Sequence, residues 1–595
     1  MIVEPFEAVL RTPFGGPWRR FASPLRVVRA SSTGDVASAL GEVDEAVKSG
    51  LYAAGFVTYE AASAFGFAGK SPASELPLVC FGLFSPDNVE TLARFPVGGE
   101  AAVGAWTPSV DHGSYRAAVA TVKGRIEAGD TYQINYTLRM TAPFVGDPRA
   151  LMRDLYARQA GPWSAFIEIG SHAICSASPE LFFLREDDTV ECRPMKGTAP
   201  RGWWAEQDVA RAAALKASEK NRAENVMIVD MVRNDLGRVA RTGSVRVLSL
   251  FDAERYPLQW QLTSRVVANV ADATLVSLFE AMFPSGSVTG APKTSAMAII
   301  SELESSPRGV YTGVIGYLSP HGRGHFNAAI RTAVVDRQRD VAEFGVGSGI
   351  VWDSLDRDEY DECLIKAAML TGSSAISGFV ERRVPAYVTD EHPTFRLLET
   401  LGWTPGSGYA LLDRHITRIE ESAQCFGFSC DPGELRLLLD DAAAALTRPS
   451  KVRLLLDADG GVLCEALYLA PFPQRPLRAA FAVEPNTALD VFLFHKTTRR
   501  DVYDRARAGR PEAEAVILWN AALEITEATD FNVVAEIDGA RVTPPLDCGL
   551  LPGTMRAELL ASGEIIERRV SVEELAAAPR KWLINSLRGW LEFTI

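Results

Sequence analysis

The chain has 595 residues and a net charge of −14, with 47% hydrophobic and 23% charged residues. That balance excludes disorder for most of the chain and supplies apolar material for more than one core; the length alone allows about three to six domains. The acidic charge argues against nucleic acid as the main partner, and no apolar run approaches the roughly 18–20 residues that span a bilayer.

The N-terminus, MIVEPFEAVLRTPF, carries an early Glu4 and lacks a basic segment followed by an apolar one, so no signal peptide is expected. Eight scattered cysteines, with no CxxC pair, fit reduced thiols in a cytoplasmic protein. The seven histidines are equally dispersed, which argues against a zinc site. A metal would then rest on carboxylates, which points to Mg²⁺.

In chain order, the first helix is expected over Val36–Lys48, and Ala53–Ala62 reads as a buried strand ending in a polar turn. Tyr115, Val119, Val122 and Ile126 keep a helical period that Gly129 closes. One long helix is expected over Glu206–Val232, and strands over Ala165–Ile169, Leu181–Leu184 and Phe326–Val334. A boundary is placed at 372–392, with a linker over 376–392 between units 1–375 and 393–595. Beyond it, helices are expected over Thr394–Gly402 and Arg414–Phe426, then strands and turns through 450–485 and 515–545. Both halves read as mixed helix and sheet.

Several polar motifs crowd the first half. Glu180 follows Ser178-Pro179 at the head of a strand, and Lys196 sits in a Pro/Gly-flanked turn, where a lysine is ordinarily solvated. Glu224 shares a helix side with Ile228 and Met231; a carboxylate placed so needs a cation or donors, or else pairs simply with Lys220. The run 286–293 offers N–H groups ahead of a helix, but Pro292 before Lys293 excludes a Walker A loop. Glu359, Glu362 and Lys366 share a helix face that would hold a hard cation and an anion, or would simply be solvated.

Together the segments GDTYQINYTLR (129–139), SPELFF (178–183), RPMKGTAPRG (193–202), EKNRAENVMIVDMVRNDLGR (219–238), FPSGSVTGAPK (283–293), RGVYTGVIGY (308–317), NAAIRT (327–332) and GSGIVWDSLDRDEYDECLIKA (347–367) resemble the chorismate-utilising enzymes. That family includes anthranilate synthase large subunits, aminodeoxychorismate synthase component I, and isochorismate and salicylate synthases. The resemblance implies Mg²⁺ on Glu224 and Glu362 with Glu359 close by. It gives the substrate carboxylates to Arg331, Lys366, Gly347, Gly290 and Thr289, and makes Glu180 the acid that helps a hydroxyl leave. Lys196 matches the nucleophile of the aminodeoxychorismate synthases, where anthranilate synthases have Ala. Gln261 stands where the family usually has His; glutamine donates a hydrogen bond but does not shuttle a proton.

In the second half Lys496 follows an apolar run read as a strand, Glu527 lies about thirty residues on, and Gly553-Thr554 make a turn into a helix. LLETL (397–401), LLDRHITRIEESAQCFGF (411–428), FHKTTRRDVYD (494–504), ILWNAALEITEATDFNVV (517–534), TPPLDCGLLPGTMR (543–556) and NSLRGW (585–590) resemble the fold-type IV pyridoxal phosphate enzymes. On that resemblance Lys496 binds the cofactor covalently, and Glu527 pairs with the pyridine nitrogen. Arg418, Thr529, Gly553 and Thr554 hold the phosphate, and Arg588 faces a substrate carboxylate.

The expected fold is therefore α+β, a chorismate-utilising fold followed by a fold-type IV domain. The resemblance implies amination of chorismate, then elimination of pyruvate to 4-aminobenzoate in folate biosynthesis. The alternative is an anthranilate- or isochorismate-synthase-like domain fused to a branched-chain or D-amino acid aminotransferase. No Gly-x-Cys-x-Gly glutaminase nucleophile is visible, so ammonia would come from a separate glutamine amidotransferase subunit or free ammonium. A homodimer through the second half is a further expectation of the resemblance.

Overall fold

The computed structural model describes residues 5–71, 76–256, 259–371, 395–472, 475–486 and 490–595, with backbone alone at 368–371. It divides into two compact units, Met1–Arg201 with Ala210–Val384, and Gly202–Val209 with Pro385–Ile595. The expected linker over 376–392 lies outside the described residues.

The first unit is built on two antiparallel sheets. One has Gln133–Gly146, Val341–Ile350, Thr332–Asp336, His172–Ser176, Ala165–Glu168 and Glu7–Arg11 as consecutive neighbours. The other runs Met195–Pro200, Gln259–Asn269, Thr189–Arg193, Leu181–Glu186, Gly324–Ala328, Val314–Leu318, Tyr52–Val57. Their central strands are buried on both faces, and the two-residue period sorts the side chains. In Glu7–Arg11, Ala8 and Leu10 join a core that also contains Ala54 and Phe56 of the second sheet, while Val9 packs on the opposite side. In Tyr52–Val57, Ala53 and Val57 turn to a third core with the helices Val36–Lys48 and Leu275–Met282. The helices His112–Glu127 and Pro148–Gln159 cover the outer face of the first sheet. The sheets thus pack face to face between helical layers.

Helices appear where expected at Val36–Lys48 and His112–Glu127. The long helix expected over Glu206–Val232 is two, Ala205–Ala217 and Glu219–Gly237. Ser218 divides them: its backbone is extended and its hydroxyl accepts the Asn221 N–H at 3.3 Å, an N-cap that good helix formers on either side do not override. The strand expected over Phe326–Val334 is also two, Gly324–Ala328 and Thr332–Asp336, and these lie in different sheets. Between them Arg331 takes a left-handed backbone with φ +52°.

The second unit has a four-stranded sheet, ordered Gly408–Tyr409, Leu397–Thr404, Ser450–Leu456, Val462–Tyr468, and a larger mixed sheet. Parallel pairs join Leu477–Phe481 to Ala515–Trp519 and to Gly589–Thr594. Leu397–Thr404, expected as a helix over Thr394–Gly402, is a strand paired residue by residue with Ser450–Leu456. Leu397 and Leu401 are buried there, and tertiary burial outweighs the helix preference of a Leu-rich run. The strand expected before Lys496 is a 3₁₀ turn, Val491–Leu493, which Asp490 caps by accepting the Phe492 N–H at 3.1 Å. The helix Leu412–Phe426 forms as expected over Arg414–Phe426. No helix among the described residues is long and apolar enough to cross a membrane, and none of the eight cysteines is in a disulfide.

The face-to-face core makes a stability prediction. Phe56 is fully buried between the two sheets. Phe56→Ala should destabilise the first unit by about 3–5 kcal/mol, whereas Ala at the exposed Val97 should change it by less than about 0.5 kcal/mol. Urea unfolding of the two variants beside the parent measures both.

Candidate active sites

Two of the places where the chain crosses between the sheets of the first unit each carry a charged side chain. Ala177–Glu180 leads from His172–Ser176 to Leu181–Glu186, and Ala329–Arg331 leads from Gly324–Ala328 to Thr332–Asp336. The crossings are tied together. Ala177 N–H donates to Arg331 O at 3.0 Å, Ser178 Oγ to Ala328 O at 2.6 Å, and Ala328 N–H to Glu180 O at 3.1 Å. Glu180 and Arg331 therefore emerge side by side into one cavity of about 410 Å³.

That cavity also receives Lys196 from the strand Met195–Pro200, Glu224 from the helix Glu219–Gly237, and Glu359, Glu362 and Lys366 from the helix Asp356–Thr371. Lys196 Nζ lies 3.6 Å from Glu224, not in the Lys220 pairing that spacing alone allowed. Lys366 Nζ pairs with Glu362 at 2.5 Å and donates to Gly347 O at 2.8 Å. Burial pushes the Glu362 carboxyl up, but Lys366, Lys196 and Arg331 outweigh it and the net shift is downward. Arg331 donates to Lys366 O at 3.2 Å, and burial pulls its pKa down.

Glu180 behaves differently. Burial raises its pKa to about 7, against smaller opposing effects of the Ser287 hydroxyl and the Lys196 charge. It is thus a carboxylic acid with a proton to give near neutral pH.

Thr289 and Gly290 stand behind the wall rather than in it. Thr289 Oγ1 closes its own loop on Ser285 O at 3.1 Å, and Gly290 pairs with Ile134 at φ +150°, where a Cβ would meet Gln133 O at 2.1 Å. Their neighbours Ser287 and Val288 line the cavity. Gln261 also lines it, with Oε1 accepting from Thr198 at 3.0 Å, so its amide group is oriented by a strand neighbour. Glu359 accepts from Ser348 and from Ser354, the latter at 2.7 Å.

The donor set suits Mg²⁺. Glu224 and Glu362 approach one cavity from two helices, and Mg²⁺ is ordinarily bound by one or two carboxylates completed by water and substrate oxygens. No group of three or more acidic, His or Cys side chains that would make a cage without substrate exists among the described residues.

Sequence reasoning missed Gln133, Ser287 and Asn225. Gln133 is fully buried with neither amide atom hydrogen-bonded, and a Cβ at Gly349 would lie 2.6 Å from Lys196 Nζ and 2.8 Å from Gln133 Nε2. Asn225 Nδ2 donates to Lys196 O at 3.2 Å and Leu262 O at 3.1 Å, tying the Glu224 helix to the Lys196 strand. A buried amide in mid-helix was the available signal.

In the second unit Lys496 is half-buried; burial and then the Arg418 charge lower its pKa to about 8. Its carbonyl accepts the Leu398 N–H at 2.9 Å. Glu527 lies in the strand Ile525–Ala528, close enough for the Lys496 charge to act on it, and burial raises it to about 7. Its Oε1 accepts from Tyr503 Oη at 2.7 Å and Leu551 N–H at 3.2 Å, which leaves Oε2 for a further donor. Arg418 grips Glu399 through Nε at 2.8 Å and Nη2 at 2.7 Å and reaches Pro552 O at 3.1 Å. Gly553 then caps the helix Thr554–Ala561, and a Cβ there would meet Asn532 Oδ1 at 1.9 Å.

Thr554 Oγ1 lies 3.3 Å from His415 Nε2. Thr529 Oγ1 accepts from Arg507 at 3.2 Å. Arg588 does not join the cluster by any contact; it donates to Ala470 O at 2.7 Å and lies over Phe472. Glu399 and His415, joined at 2.7 Å, were missed, although an acid inside the apolar run LLETL was the signal. Arg418 and His415 overcome burial and hold Glu399 at about 2, so Arg418 is fixed by a charged partner. A half-buried lysine, a carboxylate with a spare oxygen, and an arginine beside a helix N-terminus fit pyridoxal phosphate.

Residues 22–372 match the family described as chorismate binding enzyme, and residues 396–594 match amino-transferase class IV. Aminodeoxychorismate synthase component 1 of Klebsiella aerogenes is 41% identical over 263 residues, 44% of this chain and 58% of that protein. Anthranilate synthase component 1 of Cereibacter sphaeroides is 38% identical over 303 residues, 50% of this chain and 60% of that one. The chain thus spans about 60% or less of these relatives' length. The menaquinone-specific isochorismate synthase of Escherichia coli superposes with a TM-score of 0.50 at 18% identity over 62% of this chain and 88% of that one, a likeness of fold. The fold is α+β, chorismate-utilising in the first unit and fold-type IV in the second. With its match extending through residues 22–372, more than half of its length, the chain belongs to the chorismate binding enzyme family.

Proposed function

We propose that the first unit aminates chorismate to 4-amino-4-deoxychorismate, and that the second eliminates pyruvate from that product to give 4-aminobenzoate for folate synthesis. The observation that carries the reading is the placement of Lys196 and the neutral-leaning Glu180 on one cavity with Glu224, Glu362, Lys366 and Arg331. An acid and an amine nucleophile there suit displacement of an allylic hydroxyl on a dicarboxylate. The similarity to aminodeoxychorismate synthase component 1 supports it.

On this reading Arg331 and Lys366 hold the carboxylates. Glu224 and Glu362 would bind Mg²⁺, which supplies positive charge to a substrate carboxylate. The Lys196 nitrogen bonds to ring C2, the two ring double bonds move from C1=C2 and C5=C6 to C1=C6 and C4=C5, and the C4–O bond breaks. Glu180 gives its proton to the departing hydroxyl, which leaves as water. Ammonia then forms the C4–N bond as both double bonds return to C5=C6 and C1=C2 and the C2–N bond to Lys196 breaks. The Glu180 carboxylate takes a proton from the added ammonium and is restored. Gln261 and Thr198 orient without exchanging a proton. Ammonia comes from a separate glutamine amidotransferase.

In the second unit Lys496 and Glu527 would hold pyridoxal phosphate, with Arg418, Thr554 and the Gly553 turn at its phosphate. When bound, the cofactor supplies an electron sink for a carbon losing a proton. Lys496, with its lowered pKa, takes the proton from the amine-bearing carbon, and Glu527 holds one at the pyridine nitrogen.

Product identification is the deciding experiment: chorismate, ammonium and Mg²⁺ should give aminodeoxychorismate without the cofactor and 4-aminobenzoate with it. Anthranilate as product, or transamination of ordinary amino acids, overturns the respective half. Lys196→Ala should slow aminodeoxychorismate formation by about a thousandfold or more while chorismate still binds. The first half-reaction should fall as pH rises through about 7, since the acid form of Glu180 is present below that value and lost above it. Lys496→Ala should abolish the visible absorbance of cofactor-loaded protein and 4-aminobenzoate release, leaving aminodeoxychorismate formation within about twofold of the parent.

A further inference from the structure

Glu180 has two carboxyl oxygens, and a proton on the wrong one is useless to a hydroxyl in the cavity. Oε1 accepts from Ser287 Oγ at 2.5 Å, and Ser287 Oγ lies 2.9 Å from Ser285 Oγ. These are the hydroxyl contacts of both serines among the described residues. Ser287 lines the cavity and Ser285 stands behind it. The loop holding them is itself fixed: Arg308 donates to Val288 O at 2.8 Å, and Asn135 Nδ2 donates to the same oxygen at 3.1 Å.

We infer that Ser287, backed by Ser285, is a positioning residue that keeps the acid proton of Glu180 on Oε2 and then stabilises the carboxylate left when that proton is given away. The inference rests on the amination reading of this cavity.

A hydroxyl has one proton and two lone pairs, so the chain Ser285–Ser287–Glu180 has only two polarities. In one, Ser285 donates to Ser287 and Ser287 to Oε1, which confines the acid proton to Oε2. In the other, the acid donates through Oε1 to Ser287 and thence to Ser285, and its proton points away from the cavity. Only the first survives ionisation, because a carboxylate has no proton to donate. As Glu180 hands its proton to the departing hydroxyl, the Ser287 bond becomes charge-assisted and strengthens. A donor whose bond grows as charge develops assists the step rather than merely the ground state. The other titratable groups facing Glu180 are Lys196, from the strand Met195–Pro200, and Tyr256, whose hydroxyl lies 3.2 Å from Pro179 O and 3.1 Å from Glu254 Oε2, two acceptors for its one proton. Neither touches Oε1 by a hydrogen bond.

The test has two arms on the full chain. In the first, the Glu180 carboxyl stretch is titrated by infrared difference spectroscopy, assigned by its loss in Glu180→Gln. Ser287→Ala should move the midpoint upward by about one pH unit, because it removes a donor to the charged form; Ser287→Thr should restore it. An unmoved midpoint in Ser287→Ala overturns the inference, whatever the protein does with chorismate. In the second arm, chorismate consumption with ammonium should fall about 10–100-fold in kcat for Ser287→Ala, with KM within about threefold and the alkaline limb displaced upward. Equal loss in kcat with an unmoved limb marks a merely structural role and overturns it too. A parent protein that ignores chorismate sinks the amination reading, and the infrared arm still decides whether Ser287 governs Glu180.

Discussion

The first site depends on the pinning of two sheet-to-sheet crossings to each other. A strand in a face-to-face pair of sheets normally stays in its sheet, and a segment that leaves one for the other exposes backbone groups that must be paired. Here the two crossings pair with one another through Ala177, Ser178, Glu180, Ala328 and Arg331. That arrangement puts an acid and a cation at the mouth of the gap between the sheets. The left-handed backbone at Arg331 is the local cost, of order 1 kcal/mol or more for a non-glycine residue. It turns the guanidinium back to the helix Asp356–Thr371, where it meets the Lys366 carbonyl.

Behind the opposite wall a buried ion network does the same work. Arg308 is fully buried and bidentate to Glu304, and it spends its remaining donors on Val288 O, Asn135 O and Thr312. Glu304 in turn accepts the N–H and hydroxyl of Thr137, while Glu60 accepts the backbone N–H groups of Arg308 and Gly309. A buried ion pair adds little net stability over packed hydrophobes, because desolvation consumes most of the attraction. Its directional contacts nonetheless fix one geometry, joining the 285–290 loop to the strand Gln133–Gly146.

How much of this was legible follows from where the determining forces act. Local signals were readable: the helix Val36–Lys48 and the Gly553 turn announce themselves by period and composition. The Ser218 cap was written in the sequence but hidden among strong helix formers. The split at Ala329–Arg331 was not visible at all, since a largely apolar run with no Gly or Pro reads as one strand until the second sheet is known. Leu397–Thr404 failed for the same reason, its pairing partner lying some fifty residues away. Of the site, the charged residues were nameable from motifs. Gln133, Ser287 and Glu399 were not, because an amide, a hydroxyl and an acid in an apolar strand acquire meaning only from what they face.

Two carboxyls in different units, Glu180 and Glu527, are both raised to about 7 by burial, and the proposed function gives them opposite duties. Glu180 has a single hydroxyl donor and an amine nearby, so on that reading its acid form is the working one and its proton passes to the departing hydroxyl. Glu527 has a phenol and a backbone N–H on one oxygen and the other oxygen open. A cationic ring nitrogen placed there would pull it into the charged form and be held protonated in return. An acidic chain of net charge −14 has no shortage of carboxylates. Burial removes water from both and raises both alike; what differs is the partner each oxygen is left to meet. On the proposed reading, substrates and cofactors that carry negative charge would be met by Arg331, Lys366 and Arg418, each held in place by a partner in the fold, the Lys366 carbonyl, Glu362 and Glu399 respectively, so that local geometry and not net charge makes the positive pocket.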